Sequence, residues 1–346
     1  MSVTIKDIAK IAGVSPSTVS RVVSNHPRIS QETARKVKAI MDQLGYHPNM
    51  MAKSLVSKTT QTIGIVLPRP AEELFLNFFF GELIRGIVTQ ATRAGYDMLM
   101  TTATSDSNEL DAISRLVLGR RVDGILLLSS RTSDPIIGFL KQQNFPFVLI
   151  GRSDEFPDVL SIDNNNIQAA YDATGHFIAQ GHKRIGFISG PPNLVVSQDR
   201  LAGYKKALKE ANLPFNQEWV LEGDLLQQSG FRAMSFFMSL PDRPTALVIF
   251  DDLLAFGVLR GLTELGYDVP QDISIVSFNN IPLSELASTP ISSVDIGTYQ
   301  LGYTASQSLL RVVQDEPLLQ NHIIIPHRLI VRESSINPSI RRTDSK

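Results

Sequence analysis

The chain has 346 residues, 43% apolar and 19% charged, with 33 Lys and Arg against 34 Asp and Glu for a net charge of -1. That length and balance exclude a disordered chain and leave room for two or three structural units with a buried core. The lack of cysteine excludes disulfide frameworks, thiolate zinc sites and cysteine nucleophiles, and fits a reducing compartment.

The near-zero charge is a cancellation. Residues 1–60 carry nine basic side chains against three acidic ones, +6, which leaves 24 basic and 31 acidic side chains, -7, for the rest. Such asymmetry suggests that the short part meets a polyanion. A helical domain with a basic solvated face is the alternative that charge alone leaves open. The chain starts Met1-Ser2-Val3-Thr4-Ile5-Lys6-Asp7, without a basic and then apolar leader. No apolar run reaches the roughly 18 residues that span a bilayer, so a cytoplasmic, membrane-free protein is expected.

Thr4 and Asp7 have the spacing of a capping box, and Ile5, Ile8, Ala9 and Ala12 recur at helical spacing before Gly13. Ser15 is a good N-cap with Pro16 at the first helical position. The second helix then has an apolar side of Val19, Val22 and Val23 and a polar side of Ser17, Thr18, Ser20 and Arg21. A third helix is expected from Ser30, as cap, to about Leu44. Two short helices across a tight Gly-containing turn describe a helix-turn-helix, whose second helix would place its polar face in the major groove. Arg21 can reach a guanine edge there. An ordinary three-helix bundle with a short, polar second helix is the other reading that spacing leaves open.

The run Val3-Thr4-Ile5-Lys6-Asp7-Ile8-Ala9-Lys10-Ile11-Ala12-Gly13-Val14-Ser15-Pro16-Ser17-Thr18-Val19-Ser20-Arg21-Val22 resembles the opening of the lactose/galactose repressor family almost residue for residue. Leu44-Gly45-Tyr46-His47-Pro48-Asn49 and Ala52-Lys53-Ser54-Leu55 continue the match. The resemblance implies that Pro16, Ser17 and Arg21 contact bases, the first through apolar contact only, while Thr18 serves a phosphate or the packing. It also implies that Pro48 to Ser57 is a hinge helix, with Ala52, Lys53 and Leu55 at the minor groove and Leu55 wedged between base steps. Alone, two turns of helix are marginal in water, and unstacking a base step is offset by the contacts that bent DNA permits.

From Thr62 the pattern changes. Thr62–Leu67 is a short, continuously apolar run, as in a strand buried on both faces, and similar runs cover 96–100, 122–128, 147–150, 184–188, 246–250 and 273–278. Amphipathic helices are expected between them over 81–94, 108–118, 166–180, 200–211 and 253–265. The alternation argues for parallel sheets covered by helices. Arg121-Val122-Asp123-Gly124-Ile125 repeats as Lys183-Arg184-Ile185-Gly186-Phe187, and Ala94-Gly95-Tyr96-Asp97 as Leu265-Gly266-Tyr267-Asp268, which suggests two related lobes. The family resemblance extends here through phrases such as Gly181-His182-Lys183-Arg184-Ile185 and Asp199-Arg200-Leu201-Ala202-Gly203-Tyr204. It implies a periplasmic-binding-protein architecture crossed three times by the chain. Tyr46-His47-Pro48-Asn49, Ser54-Leu55-Val56-Ser57, Thr60–Pro68 and Asn144-Phe145-Pro146-Phe147 are similar to maltose-operon repressors within the family.

A sugar site needs planar hydrogen-bonding groups and an aromatic face. Arg200 is expected to open a helix after the loop 191–199, and its family counterpart anchors the ligand. Asp251 follows a strand, where open α/β sheets bind ligands; Asp252 can cap the next helix, and the two roles are exchangeable. Asn279 stands where many relatives carry Asp, which alters the hydroxyl pattern that can be read. Asp163 follows a short strand, facing the cleft or serving a turn. Of Phe75, Phe79 and Phe80, most are core, while Phe75 and Phe80 are the candidates to stack on a sugar. Trp219, the single tryptophan, reads as strand packing.

No phosphate loop, HExxH or nucleophile elbow is present, and the six histidines lack metal-ligand spacing. His176 and His182 read as solvated or capping. No enzyme, metal or cofactor is expected. The expected fold is a small all-α helix-turn-helix DNA-binding head, residues 1–48, and a hinge and linker, 49–61. An α/β periplasmic-binding-protein-like domain of two doubly wound lobes, 62–340, and a tail, 341–346, follow. The expected protein is a homodimeric repressor on a pseudo-palindromic double-stranded DNA operator, controlled by a small sugar of the maltose or maltodextrin class. The alternative is a global carbon-catabolite regulator with a phosphocarrier protein as co-effector.

Overall fold

Spacing of the apolar residues closes three helices on one another at the start of the chain: α1 (Ile5–Ala12), α2 (Pro16–Val23) and α3 (Gln31–Gln43). The computed structural model describes residues 3–23, 26–46, 59–67, 74, 76–102, 106–223 and 226–336, the side chains of 106–108 apart. The chain divides into two compact units, Met1–Thr60 and Gln61–Lys346. In the first, Ile8, Ala9, Ala12, Val19, Val22 and Val37 form one buried cluster. Gly13 ends α1 in the left-handed region, at φ 67°, and returns its N–H to Ala9 O. Ser30 caps α3 by accepting from Thr33 N at 3.2 Å. At the start of α1 the Asp7 carboxylate accepts from both Thr4 N, at 2.9 Å, and Thr4 Oγ1, at 2.7 Å.

The second unit holds two six-stranded sheets. One contains β1 (Thr62–Leu67), β2 (Asp97–Thr102), β3 (Gly124–Leu127), β4 (Phe147–Ile150), β5 (Ser161–Asp163) and β11 (His322–Ile324), in the order β11-β5-β4-β3-β1-β2. The other contains β6 (Ile185–Ser189), β7 (Val220–Glu222), β8 (Ala246–Ile249), β9 (Ser274–Phe278), β10 (Ser292–Asp295) and β12 (Arg328–Ile330), in the order β12-β10-β9-β8-β6-β7. Both sheets are parallel except that β12 runs antiparallel to β10. The shared order makes the lobes topological copies except for the direction of that edge strand. The chain passes between them after β5, after β10 and after β11, which gives the three crossings.

Helices cover the sheets: α4 (Phe78–Arg93), α5 (Asp106–Val117) and α6 (Pro135–Gln142) belong to the first lobe. The second lobe has α7 (Asn166–Ala179), α8 (Val195–Glu210), α9 (Gln227–Ser239), α10 (Asp252–Glu264) and α11 (Pro282–Leu286). α12 (Thr298–Val313) returns to the first lobe and packs on α4. A Cβ at Gly86 would lie 2.2 Å from Tyr299 O, and one at Gly302 2.0 Å from Leu83 O. The two helices therefore meet backbone to backbone, which only glycine permits at both positions.

Several expected boundaries shift. α8 begins at Val195, so Arg200 lies in its second turn rather than at its start. β2 runs to Thr102, and β5, β7 and β10–β12 are three- and four-residue strands too short to register as apolar runs. The repeated phrases do not superpose the lobes. Gly186 lies in β6, the counterpart of β1, so its topological partner is Gly64, whereas Gly124 lies in β3. The expected hinge contacts Ala52, Lys53 and Leu55, the aromatic Phe75 and the tail 341–346 lie outside the described residues.

Candidate functional site

In the first unit Ser15 Oγ accepts from Thr18 N at 3.1 Å and lies 2.7 Å from Ser17 Oγ. That cap fixes the start of α2. Val19 and Val22 are buried beneath it, which turns Pro16, Ser17, Ser20 and Arg21 outward together, while Thr18 is half-buried. Small side chains and one guanidinium on an exposed helical face, on a unit of charge +6, suit close approach to an anionic groove.

The second unit has a cavity of about 110 Å³ between its lobes, at the carboxyl ends of β3, β4, β5, β8 and β9. Phe80, Asp163, Arg200, Asp251 and Asn279 all line it. Arg200 is 3% exposed and held on four sides. Its guanidinium lies 4.1 Å from the Phe278 ring centroid and 4.9 Å from that of Phe250, Nε donates to Asn166 Oδ1 at 3.2 Å, and Nη1 donates to Phe250 O at 2.5 Å. Burial lowers its pKa to about 10, opposed by the Asp251, Asp163, Asp252 and Asp199 carboxylates. The side chain stays a cation at neutral pH, and this chain's own groups fix the plane of its guanidinium.

Burial raises the Asp163 carboxyl to about 6, against the N–H of Asn164, which donates to Oδ1 at 2.7 Å. Asp251 is likewise pushed up by burial, and its Oδ1 accepts from Leu254 N at 2.8 Å. Asp251 is therefore both the cavity carboxylate and the cap of α10. Asp252 turns away, accepting from Ser293 Oγ and Ile281 N at 2.8 Å each and from Ser277 Oγ, and so ties α10 to β9 and β10. Asn279 and Asn280 have φ of 97° and 49°. Asparagine tolerates that region better than most residues, so its presence beside the cavity has a backbone reason as well as a chemical one.

Some cavity residues escaped the sequence reading. Asn77 and Arg152 line it without having been singled out, and Phe79 of the expected aromatic cluster lines it too, its ring edge to face with Phe80 at 5.1 Å. Arg152 follows β4 as Asp251 follows β8, so the strand-end rule points at it equally. Its guanidinium joins the lobes through Asp199, with Nη2 at 2.6 Å from Oδ1 and Nε at 3.1 Å from Oδ2. Thr132 N donates to Asn193 O at 3.0 Å and Val195 N to Ser130 O at 3.2 Å, so backbone also bridges the cleft. Arg152 is therefore paired with this chain's own Asp199, while Arg200 is held by an amide oxygen, a backbone carbonyl and two rings, with Asp163 and Asp251 lining the same cavity.

Trp219 lies away from the cavity: it is buried in a single 3-10 turn before β7 and donates Nε1–H to Asp242 O at 2.8 Å. His176 and His182 are half-buried against Phe177 rather than solvated, bonded to Ser335 Oγ and Thr245 Oγ1 at 2.9 Å each. Among the described residues no group of three or more His, Asp or Glu could hold a metal ion, and no helix is long and apolar enough to cross a membrane.

Residues 4–49 match the family described as bacterial regulatory proteins, lacI family, and residues 174–335 match a periplasmic binding protein-like domain. The HTH-type transcriptional regulator MalR of Streptococcus pneumoniae is 39% identical over 317 residues, covering 91% of this chain and 94% of that protein. The Lac repressor dimer bound to operator and the anti-inducer ONPF superposes with a TM-score of 0.85 at 26% identity, over 97% of this chain and 100% of that one. A probable maltose operon transcriptional repressor malR from Staphylococcus aureus gives 0.73 at 29% identity, over 80% and 98%. The helix-turn-helix head and the two-lobed periplasmic-binding-protein-like domain expected from the resemblance are the architecture present.

Proposed function

The chain belongs to the lacI family of bacterial regulatory proteins, a family of transcriptional repressors, and from that premise we propose that it represses genes of maltose or maltodextrin use. A neutral sugar in the inter-lobe cavity is the control. Pro16, Ser17, Thr18 and Arg21 read or position the operator; Ala52, Lys53 and Leu55 complete the contact in the minor groove; a homodimer supplies the two half-sites. Arg200, Asp163, Asp251 and Asn279 bind the sugar hydroxyls, with Phe80 and Phe75 on its apolar face.

The observation that carries this reading is the balance of charge around the cavity: two cations, Arg152 and Arg200, and two carboxylates, Asp163 and Asp251, line it, and Arg152 is paired with Asp199 beside it. A lining of donors and acceptors without surplus positive charge suits an uncharged polyol, and the aromatic edge suits its C–H surface. The likeness to a probable maltose operon repressor supports maltose in particular. By linkage, a sugar that favours the DNA-incompetent state is itself bound more weakly, by the same factor, when operator is present. Calorimetry against a panel of mono- and oligosaccharides tests the reading: saturable one-site binding of maltose or maltotriose is expected, and binding only to other sugars would redirect it.

A further inference from the structure

The three passages between the lobes, residues 164–165, 296–297 and 325–327, run side by side, and one side chain joins them. Asn164 is buried, and its Nδ2 donates to Ile296 O and to Ile325 O, both at 2.8 Å. Ile325 N donates to Asp163 O at 2.8 Å, which closes the third passage onto the first. Gly297 has φ 64°, and a Cβ there would lie 2.9 Å from Ile325 Cγ2, so the second and third passages are in contact. A primary amide holds two N–H groups in one plane and can satisfy two carbonyls at once; a hydroxyl can satisfy one.

Asn164 also lines the cavity, as does Ile296. The bonds continue to the ligand side without a break. Arg200 Nε donates to Asn166 Oδ1 at 3.2 Å. Asn166 Nδ2 donates to Asp163 Oδ1 at 3.1 Å and to Asn164 O at 3.3 Å, and Asn164 N donates to Asp163 Oδ1 at 2.7 Å. All four of these residues are buried. Lobe rotation must be absorbed by a few residues at the crossings, and this network holds those residues and the cavity arginine together.

We propose that Asn164 is the positioning residue through which occupancy of the cavity sets the relative angle of the two lobes. The inference rests on the reading of the cavity as an effector site. Contiguity alone does not demonstrate coupling; a two-state element biased from both sides does.

The test uses the full-length chain, whose lack of cysteine allows a spin-label pair at Gln142→Cys in α6 and Lys209→Cys in α8, both exposed. In labelled protein diluted with unlabelled subunits and without sugar, Asn164→Ala should at least double the width of the inter-lobe distance distribution. In unlabelled protein it should leave sugar-free operator affinity within about threefold, yet reduce the effect of saturating maltose on that affinity by about fivefold or more. Asn164→Ser, which keeps one donor, should fall between, and it carries the test if the alanine variant does not fold. An unchanged width overturns the proposal, and so does a widened distribution with wild-type maltose response, which would mark a purely structural bond. A wild-type operator affinity indifferent to maltose would count against maltose as the effector; the distance distribution would then still decide the role of Asn164.

Discussion

Asn77 Nδ2 donates to Asp251 Oδ2 at 3.0 Å across the cleft, and each residue also caps a helix in its own lobe. Asn77 Oδ1 accepts from Phe79 N at 3.0 Å at the start of α4, and Asp251 Oδ1 accepts from Leu254 N at the start of α10. Two positive helix ends therefore converge on one amide–carboxylate contact, which favours the ionised form of Asp251 against its burial. The cap and the inter-lobe contact use different atoms of each side chain, so either lobe keeps its local structure when the cleft opens.

Asn77→Ala removes the cap of α4 and the contact to Asp251 together. A loss of about 1–2 kcal/mol in urea denaturation is expected, with an unchanged denaturant slope. A loss below about 0.3 kcal/mol would show that water or neighbouring groups replace both bonds.

Arg200→Lys keeps the charge and loses the planar fork between Phe250 and Phe278. Sugar affinity should fall by about 100-fold or more in calorimetry, two charge-assisted hydrogen bonds' worth. Operator affinity in the absence of sugar should stay near wild type. Retained sugar affinity would move the anchor elsewhere, with Arg152 as the next candidate.

Asp163 gives a pH test with a defined sign. Its folded pKa, about 6, lies above the unfolded value, so the folded state binds the extra proton. Its contribution to stability is most favourable below pH 4 and declines as pH rises from about 4 to 6. Asp163→Asn keeps the acceptor for Asn164 N and cannot ionise. Relative to wild type the variant should gain up to ~3 kcal/mol between pH 4 and pH 7, with the gain flat above pH 7. Parallel stability–pH curves for the two proteins would mean that Asp163 stays ionised at little cost.

On the DNA side, Arg21→Ala should weaken specific operator binding by about 1–3 kcal/mol and relax discrimination at one base pair of each half-site, measured by fluorescence anisotropy at fixed salt. Non-specific binding should change far less. Equal loss on operator and random DNA would reassign Arg21 to a phosphate.

The legible and illegible parts of this molecule differ in range. Asp251 and Asn279 could be placed because each lies just after a strand, whereas Arg200, in the second turn of α8, was legible only through the family resemblance. Arg152 obeys the same strand-end rule, two residues beyond β4. Asn77 gave no such sign, because its partner Asp251 is 174 residues away. Asn164 bonds to carbonyls 132 and 161 residues along the chain, so the crossings it joins leave no periodic trace. The repeated phrases misled for a related reason. Gly64, Gly124 and Gly186 all lie in parallel strands, and short strand phrases recur without marking which strand of the lobe they build.

If a neutral sugar in the cavity governs operator binding, it does so without help from another protein. Operator affinity of the purified full-length chain, titrated by fluorescence anisotropy with and without saturating maltose at one salt concentration, tests it most directly. Maltose alone should weaken operator binding by about 5- to 150-fold, the usual range of coupling between two sites. An affinity unmoved by maltose, and changed only when a phosphocarrier protein is added, would contradict it.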